Sequence, residues 1–230
     1  MASPRTSPVG HELLDDPHAD PHTVATSLGN VARANFWFGG RAAVRYGLAR
    51  LLADVPPGRT LTLLDIGTGS GDLPRDAMRW AAARGLQLAP VGLERSRTAA
   101  RLAGAAAVPT VVGCAGALPF ADRTFDLVLM SQVAHHLAAD AAVDLFRSAA
   151  RVARIGVVVA DLRRARLAQL LFGVGARLLR FDRVTRVDGI TSIARGYRPA
   201  ELAALAARAG ARAEVRRRPG YRLVAWWRTT

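Results

Sequence analysis

Leu63-Leu64-Asp65-Ile66-Gly67-Thr68-Gly69-Ser70-Gly71-Asp72 is the stretch that decides the fold. Its first half belongs to a short apolar run, Leu61 to Ile66, of the kind that makes a strand buried on both faces. Its second half places three glycines between that strand and a helix read over Asp72 to Arg84. Glycines at such a junction reach positive φ freely and let the backbone pass close to a ligand. In a doubly wound sheet this junction lies beyond the carboxyl ends of the strands, where ligands bind. A dinucleotide site wants Gly-x-Gly-x-x-Gly, with a pyrophosphate resting on the helix N-terminus. Here the place of the third glycine is held by Asp72, whose carboxylate repels a pyrophosphate. The spacing found, Gly-x-Gly-x-Gly after Asp65, suits a ligand without phosphate and with a cationic amino-acid end. Glu94 closes the next strand, Pro90 to Glu94, where an acidic side chain accepts both hydroxyls of a ribose.

Outward from this turn the chain keeps a strand–helix beat. A helix over Ser96 to Gly104 is followed by strands at Pro109 to Val112 and Phe125 to Ser131. A helix over Ala138 to Ala153 and a strand over Ile155 to Asp161 complete the regular part. Arg163 to Phe181 reads as an inserted helix and Asp182 to Gly196 as a loop. Pro199 to Ala209 is a helix with Pro at its first position and Gly210 past its end. Strands at Ala213 to Arg217 and Arg222 to Trp227 flank a Pro219-Gly220 turn, so one of them runs antiparallel. Before the first strand, helices over Thr23 to Asn35 and Arg41 to Val55 flank Phe36-Trp37-Phe38 and Gly39-Gly40. The expectation is an α/β, Rossmann-like three-layer sandwich. Its seven-stranded sheet is mostly parallel with one antiparallel edge strand. Residues 1–22 are expected to be a disordered lead-in, 23–57 a helical lid, and 58–230 one domain with an insertion at about 163–196.

The sequence resembles the class I S-adenosylmethionine-dependent methyltransferases. Asp65 to Gly71 matches their first motif and Glu94 their second-strand acid. Leu118-Pro119-Phe120-Ala121-Asp122-Arg123-Thr124-Phe125-Asp126 matches the stretch leading into their fourth strand, and Ser131 to Leu137 the segment after it. The resemblance covers about residues 60 to 160. It is to the small-molecule type and is similar to the quinone C-methylases, with a fainter echo at Asn35, Gly40 and Arg41. It implies S-adenosyl-L-methionine as cofactor. Gly67, Thr68, Gly69 and Gly71 would line its methionine end, Asp65 would hold the turn and face the amino group through water, and Glu94 would bind the ribose. Ser131 and Gln132 would lie near the methionine part. Where the family often carries an acid against the adenine amino group, this chain has Cys114 and Ala115 after Gly113. A thiol is a weak acceptor, so adenine recognition falls to backbone groups and apolar packing from Ala115 and Leu118.

Methyl transfer from a sulfonium depends on orientation, worth about 7–11 kcal/mol. A phenolic or acidic-carbon acceptor gains a further 10²–10⁴-fold, roughly, from a general base. His135 and His136, just past the fourth strand, are the candidates, with helix capping or packing as the competing reading. The acceptor side is assigned to Phe36, Trp37, Phe38 and Arg41, as a lid, and to the inserted helix. That helix carries Leu167, Leu170, Leu171, Val174 and Leu178 with Arg163, Arg164, Arg166, Arg177 and Arg180 among them. It reads as an ordinary amphipathic helix, a wall of an apolar acceptor pocket, or a basic face on a membrane. The acceptor is expected to be a small aromatic, quinone-like or polyketide molecule.

The net charge of +14 comes entirely from arginine, since lysine is absent. It raises an RNA methyltransferase as the alternative function. Scattered arginines with only 6% aromatic residues favour solvated helix faces over nucleic-acid binding, and nucleic acid is not expected as a partner. A non-catalytic partner subunit of the same fold is the other alternative, prompted by Cys114. One cysteine excludes an internal disulfide and a cysteine zinc site, and His11, His18 and His22 are too unevenly spaced to suggest a metal. With no signal-type h-region and no uninterrupted apolar run of about 18 residues, a cytoplasmic location is expected. The oligomeric state stays open.

Overall fold

A computed structural model of the chain describes residues 10, 12, 14, 16 and 18–229. Two helices, α1 (Pro21–Trp37) and α2 (Gly40–Leu51), precede the alternating part. It runs β1 (Thr60–Ile66), α3 (Asp72–Ala82), β2 (Gln87–Glu94), α4 (Arg97–Ala105), β3 (Thr110–Val112), β4 (Phe125–Ser131), α5 (Ala139–Val152) and β5 (Ala153–Leu162). Then come α6 (Arg166–Leu178), α7 (Arg183–Arg195), α8 (Pro199–Arg208), β6 (Glu214–Arg218) and β7 (Arg222–Arg228).

One seven-stranded sheet has the order β3-β2-β1-β4-β5-β7-β6. Alternation along the strands feeds two apolar layers, as a pleated sheet covered on both faces requires. Leu64, Ile66, Val128, Met130, Val157 and Val159 face α5 and α8. Leu61, Leu63, Leu127, Leu129, Val158 and Ala160 face α2 and α3. The expected three-layer, Rossmann-like sandwich is therefore the observed one. The single reversed strand is β7, antiparallel to both β5 and β6. It sits one place in from the edge, because the β6–β7 hairpin inserts its second strand against β5. The strand order reverses between β1 and β4, and the crevice beyond their carboxyl ends is the ligand position of such sheets.

Two expectations need correction. Residues Asp182 to Gly196 are not a loop: α7 fills them. Asp182 caps it, accepting from the Thr185 amide at 2.9 Å. Gly189 lets α6 approach so closely that a Cβ there would lie 2.3 Å from the Phe172 ring. Packing rather than apolar periodicity holds this helix. Of the lead-in, residues 1–9, 11, 13, 15 and 17, His11 among them, lie outside the described residues. Its described part is anchored. Glu12 is buried and pairs with Arg195 at 2.9 Å. Gly10 O accepts from Arg195 at 2.8 Å, and the Leu14 amide donates to Asp188 at 3.2 Å. His18 and His22 are exposed.

Candidate active site

The turn between β1 and α3 is built from left-handed glycines: Gly67, Gly69 and Gly71 have φ of 71°, 56° and 75°. A Cβ on Gly67 would meet Val133 Cγ2 at 2.4 Å, so that position is closed to other residues by space as well as by φ. Glu94, at the end of β2, braces the turn. One carboxylate oxygen accepts from the Gly69 amide at 3.0 Å and the other from the Ser96 amide at 2.9 Å. A carboxylate has about four lone-pair sites, so both oxygens keep capacity for ribose hydroxyls.

Around the turn lie Asp65, Asp72 and Glu94. Burial pushes the Asp65 carboxyl up to about 8; the Thr68 hydroxyl pulls it down, and the charges of Asp72 and Glu94 add to the rise. Burial also raises Asp72, against the Asn35 amide, which donates to it at 3.2 Å. Three carboxylic groups gathered with little solvent make a place that favours a cation and repels a phosphate.

The ends of β4 and β5 supply the other wall. Ser131 is buried, and its Oγ has no hydrogen-bond partner among the described residues. Gln132 takes a left-handed φ of 58°, and its side chain donates to Asn35 Oδ1 at 2.8 Å. Such a conformation in a non-glycine residue is one that surrounding structure must impose. His135 and His136 follow in a 3₁₀ turn, Ala134–His136, which Tyr197 pins by donating to Ala134 O at 2.7 Å. His135 Nδ1 lies 2.6 Å from Asp161 Oδ1, with both side chains buried, and the His135 amide donates to the same carboxylate at 3.3 Å. Burial works to raise Asp161, but the His135 imidazole and the Leu162 amide outweigh it and hold the carboxyl below the usual range. An ionised Asp161 accepts a proton-bearing Nδ1, which leaves the lone pair on Nε2. That Nε2 is buried and has no hydrogen-bond partner among the described residues.

These elements enclose one cavity of about 1100 Å³, lined by the glycine turn, Glu94, Ser131 and His135 and bounded by α1, α6 and α7. Pockets for a single small ligand span about 300–1,000 Å³, so this one has room for a cofactor and an acceptor together.

Residues 64–160 match the model of the methyltransferase domain. The chain carries a class I S-adenosylmethionine-dependent methyltransferase fold. A methyltransferase of Aquifex aeolicus superposes with a TM-score of 0.62 at 16% identity, over 92% of this chain and 99% of that one. The magnesium protoporphyrin IX methyltransferase of Synechocystis, solved with bound S-adenosylhomocysteine, gives 0.55 at 18% identity over 84% of each chain. The pyocyanin biosynthetic protein PhzM gives 0.57 at 17% over 82% of this chain and 55% of that one. Comparison with curated proteins finds no match.

S-adenosylmethionine is the cofactor of this methyltransferase domain, and the residues present fit it. The buried carboxylic groups suit its cationic end, Glu94 its ribose, and the unpartnered Ser131 Oγ lies in the cavity wall as a spare polar group. Thr68, Cys114 and Ala115 also line the cavity; Cys114 Sγ accepts from the Gly116 amide at 3.4 Å. The Asp65 shift gives the methyltransferase a pH signature. Asp65 is protonated in the free protein below about 8, and a ligand ammonium favours its ionised form, so binding releases a proton. Affinity for S-adenosylhomocysteine should rise with pH towards 8, by at most about tenfold per unit, and level off above. Calorimetric titrations at several pH values check this; a flat profile contradicts it. The free protein should show the opposite trend. Its folded Asp65 holds a proton that the unfolded chain gives up near 4, so its stability falls as pH rises from there to 8.

On the acceptor side the expectation needs correction. Phe38 lines the cavity and packs on Phe172. Phe36 and Trp37 instead end α1 on its outer side, 57% and 62% exposed and in edge contact with each other. Arg41 stacks over Phe36 and faces Asp76 at 3.9 Å. The helix runs through Phe36 and Trp37, turning both away from the cavity, and ends with Phe38 as its C-cap. The His136 ring lies against that of His135, centroids 4.2 Å apart, but turns to other partners. It lies 3.3 Å from Arg195 and 3.9 Å from Glu12. The ligand-type atoms of Glu12, His135 and His136 lie within 4.8 Å of one another, and the Arg195 guanidinium balances the Glu12 charge there. Sequence reading missed Asp161 and Asn35 as site residues.

Proposed function

We propose that this protein methylates a small, apolar acceptor through a hydroxyl or an acidic carbon, with an aromatic, quinone-like or polyketide molecule as the substrate class. One observation carries the reading: His135 lines the cavity, Asp161 fixes its Nδ1, and its buried Nε2 has no hydrogen-bond partner among the described residues. A neutral imidazole so oriented is a general base.

S-adenosylmethionine, when bound, supplies a methyl group already activated by its sulfonium. Glu94 and the glycine turn hold the nucleoside, and Asp65 and Asp72 balance the positive charge. His135 Nε2 takes the acceptor's proton as its oxygen or carbon becomes nucleophilic, and Asp161 stabilises the imidazolium that results. Leu28, Val31, Phe38, Leu162, Phe172 and Ile193 give the rest of the cavity an apolar wall, which excludes water and suits an aromatic ring. The name of the magnesium protoporphyrin IX methyltransferase, a neighbour in fold, supports a small-molecule acceptor. The test is methyl transfer from labelled S-adenosylmethionine to a panel of phenols, hydroquinones, polar amines and RNA. Labelling of phenols or hydroquinones is expected. Labelling confined to amines or RNA would overturn the reading.

A further inference from the structure

Helix α6 wears its large side chains on the outside. Leu167, Leu170, Leu171, Val174 and Leu178 are each at least 50% exposed, and Leu178 reaches 78%. Their spacing puts them on one stripe of the helix. The side turned to the protein carries small residues instead: Ala168 and Ala176 are buried and Gly173 lies against α7. Val187 and Ile190 of α7 add to the exposed apolar surface, with Ile190 O held to α6 by Gln169 at 3.3 Å. A continuous aliphatic stripe of this kind on a surface helix marks a contact surface.

Its border is cationic. Residues 163–181 contain five arginines and no acid. Arg164 pairs with Glu201 and Arg163 stacks on Tyr221, so those two are engaged inside the fold. Arg166, Arg177, Arg180 and Arg183 are exposed, and none forms an ion pair among the described residues. Guanidinium groups beside an aliphatic stripe match a surface that is apolar at depth and anionic at its rim. A second copy of the chain fits poorly, since a two-fold contact would set the same arginines against each other. Nucleic acid fits poorly too, because the stripe has no aromatic ring on which a base could stack.

We propose that the exposed face of α6 lies on the surface of an anionic phospholipid bilayer, the leucines entering the headgroup–acyl boundary and the arginines meeting phosphates. Leu171 belongs to the stripe and also lines the cavity, so the docked face adjoins the acceptor chamber. A lipophilic acceptor then reaches His135 from the bilayer without crossing water; this last step rests on the reading of the acceptor above, while the docking does not.

The test is co-sedimentation of the full chain with vesicles of phosphatidylglycerol and phosphatidylcholine, against pure phosphatidylcholine. Leu170→Asp/Leu178→Asp serves as the variant, since neither residue lines the cavity. Partition onto the anionic vesicles is expected, at least tenfold weaker on pure phosphatidylcholine and in 0.5 M salt. The variant should lose at least tenfold while keeping the parent's affinity for S-adenosylhomocysteine, which shows that it is folded. Absence of partition, or equal partition by the variant, overturns the proposal. So does sedimentation equilibrium showing a parent dimer that the variant splits, which would assign the face to a second copy. Vesicle binding is read without any acceptor, so a failure here is distinct from a failure of the methylation assay.

Discussion

Replacing His135 with Asn should lower kcat by about 10²–10⁴-fold on a hydroxyl or carbon acceptor, the worth of a positioned general base. Affinity for S-adenosylhomocysteine should stay within about twofold of the parent, because the bracing contacts of the glycine turn come from Glu94 and not from His135. Asp161→Asn should reproduce much of the loss by another route. The carboxylate accepts from the His135 ring at 2.6 Å and from the His135 and Leu162 amides at 3.3 and 2.7 Å. An amide in its place can offer its NH₂ to Nδ1, moving the ring proton to Nε2 and removing the base. Asp161 is thus a positioning residue. Its readout is the split between kcat and KM: Asp161→Asn lowers kcat while KM and S-adenosylhomocysteine affinity hold. A merely structural role would instead lower stability and affinity together. Wild-type kcat in His135→Asn would refute the base assignment.

Glu94→Ala should reduce S-adenosylhomocysteine affinity by about 10²–10⁴-fold. Hydrogen bonds to a charged group contribute about 1.5–3 kcal/mol each, and two ribose hydroxyls are at stake. Loss of the carboxylate also strips the Gly69 and Ser96 amides of their acceptor, which loosens the turn before any ligand arrives. Glu94→Gln keeps one acceptor oxygen and should fall between parent and alanine variant. Isothermal titration of the three proteins gives the comparison. Equal affinities would mean that the ribose lies elsewhere.

Legibility from sequence followed the range of the interactions. The glycine turn is local: strand, turn and helix follow one another without interruption from Thr60 to Ala82, and Asp72 in place of a third glycine was enough to separate the ligand classes. The end of β4 was similarly readable, since Ser131 to His136 follow one strand directly. Asp161 was not. It ends a buried strand as an unremarked polar residue, and only the register of β5 beside β4 brings it to His135. Asn35 is joined to Gln132 across 97 positions, and Glu12 to Arg195 across 183. Nothing in the spacing of such pairs announces them. Helix α7 did leave a local signal, Asp182 followed by Thr185, the pattern of a capped first turn. Its polar and glycine-containing body hid the helix that follows, because packing on Phe172 supplies what periodicity lacks. The aromatic triplet misled for the opposite reason: three rings in a row look like one lid, but consecutive helical residues point in different directions, and only Phe38 turns inward.

A crystal structure with S-adenosylhomocysteine would show directly whether the glycine turn seats the cofactor. The homocysteine end should lie along Gly67 to Gly71 near Asp65, both ribose hydroxyls on the Glu94 carboxylate, and the sulfur on the side of the cavity that His135 lines. A ligand placed away from the glycine turn, or a turn that accepts a pyrophosphate in its place, would contradict it.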